Sequence, residues 1–491
     1  MSDAFTSAAV PSAATEAGSA ATPAQLNFSC RLPLLVFFIS AAIWLVIASA
    51  FSLIASIKFH SPRFLADQAW LTYGRVHPAY MNSVLYGFCL QAGFGVLLWL
   101  LVWLGRAPLV HRWLVTIGAM FWNLGVTVGV IGILAGDSTG FENLEMPGYA
   151  ALLAFLGYLL IGVWGVITFH QRRERPLFVS QWFLFTALFW FPWIYSGANL
   201  LLVGFPLRGV AQAVVAWWYS QNLLVVWLGL VGLGTVFYFV PKLLKRELHS
   251  HYLALFTFWM LLLFAGWGGI PNTAPLPAWM PALSTVATVL LLIPLISVAH
   301  NLYRTAATSG SLTSQHLALP FILFGTMAFV LAGLMSIGGV LLDEEQLLTF
   351  TWYTVARTHL QVYGFFAMVM FGAIYYIMPQ LIGLKFPASK LIRSHFWVAA
   401  AGIVLICLPQ AIAGVVQAIQ LLDPTIAFAQ SIKTSLLFLR VSTLGDLLLL
   451  TGHWLLLYNV VGLTTRFYRA RAVAAYENVT TDLFKAAEAK P

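Results

Sequence analysis

Apolar stretches long enough to cross a hydrocarbon layer of about 30 Å recur along nearly the whole chain, and this limits the folds open to it more than any other feature. They fall near residues 33-57, 80-105, 113-135, 148-170, 180-203, 212-241, 252-270, 280-303, 317-342, 349-383, 394-420 and 435-465. Inside a bilayer every backbone N–H and C=O must be satisfied within the spanning structure. Continuous apolar runs of this length satisfy them as helices, not as strands of alternating polarity. The sequence therefore predicts an all-α integral membrane protein of about twelve transmembrane helices, with membrane lipid as its main solvent. Composition agrees: of 491 residues 60% are hydrophobic and 8% charged, against about a quarter charged in soluble domains.

The formal charge of +9 does not point to nucleic acid. The cations lie in short loops: Arg106 with Arg112; Arg172, Arg173 and Arg175; Lys242, Lys245 and Arg246; Arg304; Lys385, Lys390 and Arg393. These loops alternate with acidic or nearly neutral ones, which carry Asp137, Glu142 and Glu145, or Asp343, Glu344 and Glu345. The positive-inside rule puts the basic set in the cytoplasm, and both termini with it, next to Arg466, Arg469 and Arg471. Residues 1-30 read as a disordered cytoplasmic tail, 31-470 as one polytopic membrane domain and 471-491 as a polar cytoplasmic tail. The three cysteines, Cys30, Cys89 and Cys407, form no disulfide framework or CxxC motif.

Ionisable or metal-binding groups inside spans are functional candidates, because inserting them costs about 2.5–3.5 kcal/mol each. The second span opens on Tyr73, Arg75, His77 and Tyr80, with His77 and Tyr80 one turn apart on a shared face. The sixth opens on Trp217, Trp218, Tyr219, Ser220 and Gln221. The tenth carries Arg357 and His359. Each residue turns a helix by about 100°, so Arg357 and His359 point about 200° apart and address different sides of one helix. An imidazole at that depth suits either an axial haem contact or a hydrogen-bonded packing role. The arginine suits a carboxylate, a propionate or backbone carbonyls.

Trp217-Trp218-Tyr219, Tyr238-Phe239-Val240-Pro241-Lys242, Phe258-Trp259, Leu276-Pro277-Ala278-Trp279, Phe371-Gly372 with Pro379, His395-Phe396-Trp397 and Tyr458-Asn459 occur in one order from about Leu71 to the last span. Together they resemble subunit I of the cbb-type haem-copper oxidases, within the superfamily that includes the nitric oxide reductase large subunit. The resemblance implies the subunit I bundle, a bacterial cytoplasmic membrane, other respiratory subunits such as c-type cytochromes, and cytochrome c oxidase activity. Carried over one residue at a time, the metal ligands fail. The three copper-ligand positions fall at Gln221, Gly269 and Ile270, and the ligand position of the high-spin haem falls at Arg357, whose guanidinium has no lone pair to give. The family's active-site tyrosine falls at His249 or His251. For the low-spin haem, His359 matches one ligand, whereas the other falls at Tyr80, with His77 one turn earlier on the same face and Arg75 two residues before it.

The expectation is thus no copper, no high-spin haem and at most one haem b. That haem would be held by His359 with His77, or with Tyr80 as a phenolate; otherwise aromatic packing fills the cavity. The implied role is a structural or electron-relay subunit of a larger complex. Two other readings are an active oxidase or nitric oxide reductase with relocated ligands, using His249 or His251, and a channel or transporter built on the same bundle.

Overall fold

The computed structural model describes residues 21-307, 316-341 and 348-488, with no account of side chains beyond 481. Among the described residues twelve principal helices follow one another. They are α1 (Pro23–His60), α2 (Tyr73–Gly105), α3 (Arg112–Ala135), α4 (Gly148–His170), α5 (Val179–Gly204), α6 (Val210–Leu244), α7 (His251–Ala265), α8 (Trp279–Ala307), α9 (Leu319–Leu341), α10 (Trp352–Ile382), α11 (Ser389–Leu422) and α12 (Phe428–Glu488). Eleven are long and apolar enough to cross a membrane, and α7 is the short one. The described residues contain no strand. The chain is therefore an all-α membrane bundle, as its apolar runs predict.

The boundaries follow local chemistry. Thr22 caps α1 by accepting from the Gln25 amide, while the Gln25 side chain accepts from the Thr22 amide; Pro23 sits where no N–H is needed. The helix thus begins inside the stretch read as a tail ending at residue 30, and residues 1-20 lie outside the described residues. At the other end α12 continues as helix to Glu488.

Three helices form the centre. The most apolar window of α2 is 94% buried, and those of α6 and α10 are 83% buried, against 39–61% for the other spans. Lipid is as apolar as leucine, so no hydrophobic effect drives these contacts; close van der Waals packing and interhelical hydrogen bonds must supply the association. Rings enter notches left by glycines. Trp227 of α6 lies where a Cβ on Gly93 of α2 would meet it at 2.8 Å, and Phe365 of α10 lies over Gly232 of α6. Buried indoles find acceptors: Trp122 donates to the Tyr86 carbonyl (2.9 Å) and Trp227 to the Ala187 carbonyl (3.2 Å).

Each central helix also contains a π-helical stretch, at Ser83–Cys89, Asn222–Trp227 and Leu360–Ala367. The stretch in α10 packs against those of α2 and α6. Inserting one residue into a turn re-aims the side chains that follow, and such insertions concentrate at functional sites.

Candidate functional site

Two cavities flank the N-terminal half of α10, and the 200° between Arg357 and His359 sends one residue to each. The first has a volume of about 370 Å³ and is lined by His77 and Tyr80 from α2, His359 and Trp352 from α10, Gln410 and Gln417 from α11, Asp446 from α12 and Ser52 from α1, among others. The second, about 660 Å³, is lined by Arg357, Gln221, Gly269, Ile270, Glu142, Tyr353 and Gln361 with apolar neighbours.

In the first cavity the imidazole of His359 is fixed by a 2.8 Å hydrogen bond between Nδ1 and Oε1 of Gln410. An amide oxygen only accepts, so the proton is on Nδ1 and the lone pair on Nε2, the arrangement of an imidazole ready to ligate. His77 borders the same space. Between them stands the buried Tyr80, its ring centroid 5.9 Å from that of His77 and 6.2 Å from that of His359. The structure therefore brings His77, Tyr80 and His359 together. Arg75 is elsewhere: its guanidinium packs against Gly136 and donates to the Leu134 carbonyl (3.2 Å).

A haem in this cavity would find its donors in His359 Nε2 and in His77 or Tyr80, which border the same space. Sequence reading missed Gln410 and Asp446. Asp446 was detectable as an acidic residue inside a span. Gln410 was not, because its pairing with His359 arises only when α10 meets α11.

The second cavity occupies the place of the oxygen-reducing centre implied by the resemblance, and its donors do not fit that centre. Gln221 donates to the Ala265 carbonyl (3.1 Å) and lies so close over Gly269 that a Cβ there would meet its Cβ at 2.8 Å. Gly269 has φ +92°, which an L side chain rarely adopts. A side chain at 269 would therefore crowd the Cβ of residue 221 as well as demand a left-handed backbone. Arg357 donates to Ser336 (3.3 Å). Among the described residues no three His, Cys, Asp or Glu side chains form a group able to hold a metal. His249 and His251 do not border this cavity; His249 is exposed beside His300, ring centroids 5.8 Å apart.

A buried polar network joins the helices at this end. Asn82 donates to Glu145 (2.7 Å), Asn143 donates to Ser220 (2.6 Å), and Tyr86 donates to the Asn143 carbonyl (2.6 Å) while also bonding Tyr219. Burial pushes the Glu145 carboxyl up to about 7, against the pull of the Asn82 bond. Burial also raises Glu142, with the nearby Arg357 charge opposing.

A bundle whose central helices present histidine, tyrosine and arginine to two cavities at one end, inside an otherwise apolar body, defines a membrane subunit of the respiratory oxidase type. The family model described as cytochrome c and quinol oxidase polypeptide I matches residues 33–448, and the chain belongs to that family. It is 26% identical over 446 residues to a cytochrome c oxidase subunit 1 homolog of Agrobacterium tumefaciens (strain T37), covering 85% of this chain and 80% of that protein. It is 24% identical over 461 residues to a cbb3-type cytochrome c oxidase subunit of Stutzerimonas stutzeri, covering 90% and 95%. A haem-copper terminal oxidase dimer solved by cryo-EM shares the fold, with a TM-score of 0.64, 14% identity and coverage of 88% and 84%. The resemblance stated from the motifs is thereby borne out at the level of the family.

Proposed function

We propose that this chain is a respiratory membrane subunit of oxidase ancestry that no longer reduces oxygen, and that it serves a larger complex as a haem b electron relay or as a structural component. The observation that carries this reading is the division of labour across α10. His359 keeps a ligating arrangement in a cavity with His77, while Arg357 faces a cavity whose three copper positions are Gln221, Gly269 and Ile270. A copper ion that needs three imidazoles finds an amide, a glycine and an isoleucine.

In this reading His359, its imidazole fixed by Gln410, would hold the haem iron together with His77 or Tyr80. The haem, when bound, supplies a one-electron couple. The aromatic and polar residues around it orient the group and keep water from it. Partners would be other respiratory subunits, c-type cytochromes among them, in a bacterial cytoplasmic membrane with both termini inside; the basic loops and the names of the relatives support this. The relocated-ligand reading draws no support from His249 or His251, which lie away from both cavities.

The deciding experiment is a reduced-minus-oxidised visible spectrum of the purified protein, with copper and iron counted and carbon monoxide added to the reduced sample. A b-type signal without copper and without a carbon monoxide response supports the relay, and no haem supports the structural role. Copper together with a carbon monoxide shift would return the chain to the gas-reducing enzymes and end this proposal.

A further inference from the structure

Three arginines gather where α1, α3 and α12 leave the apolar body, at the end of the bundle that carries most of the loop cations. Arg31 lies just before the first apolar run, Arg112 opens α3, and Arg471 follows the last apolar run on α12. α1 packs against both of the other helices, and two phenylalanines set the spacing. Arg31 and Arg112 both stand by the ring of Phe28, their guanidinium carbons 5.5 and 4.7 Å from its centroid. Arg31 and Arg471 both stand by the ring of Phe467, at 5.2 and 4.8 Å. Each neighbouring pair of guanidinium carbons is therefore no more than about 10 Å apart, with Arg31 in the middle.

The charges of Arg112 and Arg471 both oppose that of Arg31, and no carboxylate is among the groups that act on it. Arg31 gives its Nε–H to the Leu381 carbonyl (2.5 Å), and Arg112 gives an Nη1–H to the Phe28 carbonyl (3.4 Å). These main-chain bonds aim the side chains and neutralise no charge. A guanidinium has five N–H donors, so each fork keeps donors for another partner. Cation–π contact alone accounts for one arginine on one ring. It does not account for three that converge, because their mutual repulsion takes back about what the rings return.

The surroundings select the missing anion. Phe28, Trp113 and Tyr468 are half exposed or more, and tryptophan and tyrosine favour the headgroup level of a bilayer. On the same face of α3 as Trp113, the exposed Ile117, Met120 and Leu124 continue toward the membrane, a track that suits an acyl chain. A phosphodiester supplies what this place lacks: one negative charge between two guanidinium forks, and oxygens that accept from both. A soluble phosphate or an acidic peptide would make no use of the apolar track.

We propose that Arg31, Arg112 and Arg471, spaced by Phe28 and Phe467, form a binding site for the headgroup of an anionic phospholipid, which ties the first helix to α3 and α12 at the membrane surface. The site needs no haem and lies at the end of the bundle away from both cavities, so it stands apart from the relay reading.

The test is native mass spectrometry of the full chain, released from detergent micelles to which phosphatidylglycerol or phosphatidylcholine has been added in graded amounts. The wild type should retain phosphatidylglycerol in preference to phosphatidylcholine. Arg112→Gln combined with Arg471→Gln should weaken that retention by about tenfold or more, through loss of charge-assisted hydrogen bonds. Arg31 is left in place because its bond to Leu381 also holds α1 to α10. The control is Arg466→Gln combined with Arg469→Gln, which removes the same charge from exposed positions of α12 and should bind as the wild type does. Should the first double variant fail to fold, Arg112→Gln alone must weaken retention severalfold. Equal losses in the two double variants would reduce the effect to general surface charge and overturn the site, as would a wild type without preference for phosphatidylglycerol. Displacement of the lipid by an excess of inorganic phosphate would hand the site to a soluble anion and overturn the lipid assignment.

Discussion

Glu145 is a carboxyl placed where its charge is poorly solvated, with Asn82 as its one side-chain donor. Its value of about 7 lies above the ordinary 4.5, so the folded protein holds this proton more tightly than the unfolded chain does. The linked stability is complete below about 4.5 and is lost as pH rises toward 7, by up to about 3 kcal/mol at 1.36 kcal/mol per unit. The thermal midpoint in detergent should therefore fall between pH 5 and pH 7 by more in the wild type than in Glu145→Gln, which keeps an oxygen for Asn82 but never ionises. Equal slopes in the two proteins would show that another group governs the pH dependence. Tyr80 gives a second prediction at this scale. Tyr80→His puts an imidazole where the phenol now separates His77 from His359, and should raise the haem retained through purification. His359→Ala should abolish retention, and retention unchanged by His359→Ala would remove that residue from the site. Part of this site was legible in advance: the opposite aim of Arg357 and His359 follows from 100° per residue alone. Gln410 was not, because a pairing between residues dozens of positions apart exists only once their helices have packed.

At the scale of helices, α3 and α4 approach so closely that backbone meets backbone. A Cβ on Gly157 would meet the Trp122 amide nitrogen at 2.7 Å, and one on Gly125 would meet the Ala154 amide nitrogen at 2.7 Å. Small residues at such an interface are what a membrane bundle uses in place of the hydrophobic effect. Gly157→Leu has nowhere to place its side chain except by parting the helices, at a cost of about 1–3 kcal/mol or more. It should lower the thermal midpoint clearly, whereas Leu159→Ala, on the exposed face of α4, should leave it nearly unchanged. Equal midpoints for the two variants would remove the close contact from the account. The spans themselves were readable in the sequence, since length and hydropathy fix where a chain crosses a bilayer. The π-helical stretches of α2, α6 and α10 were not, because one inserted residue alters the phase of a helix without altering its apolar composition.

For the whole molecule, the two cavities and the acidic loop that holds Glu142 and Glu145 lie at one end of the bundle, while most loop cations lie at the other. The positive-inside rule makes the cation-rich end cytoplasmic. A relay at the opposite end would receive electrons from outside the cell membrane, where the c-type cytochrome proposed as its partner would work, and its distance from the cytoplasm would shield it from soluble donors there. Orientation and electron entry are therefore one prediction. A green fluorescent protein fused after Pro491 should fluoresce, and an alkaline phosphatase fused at the same place should stay inactive. In right-side-out vesicles a membrane-impermeant reductant should then reduce any b-type haem at once, and in inside-out vesicles only after the membrane is breached. A periplasmic C-terminus would invert the topology drawn from the loop charges. A cytoplasmic C-terminus with reduction only from the inside would keep the topology and move the electron-carrying site away from His359.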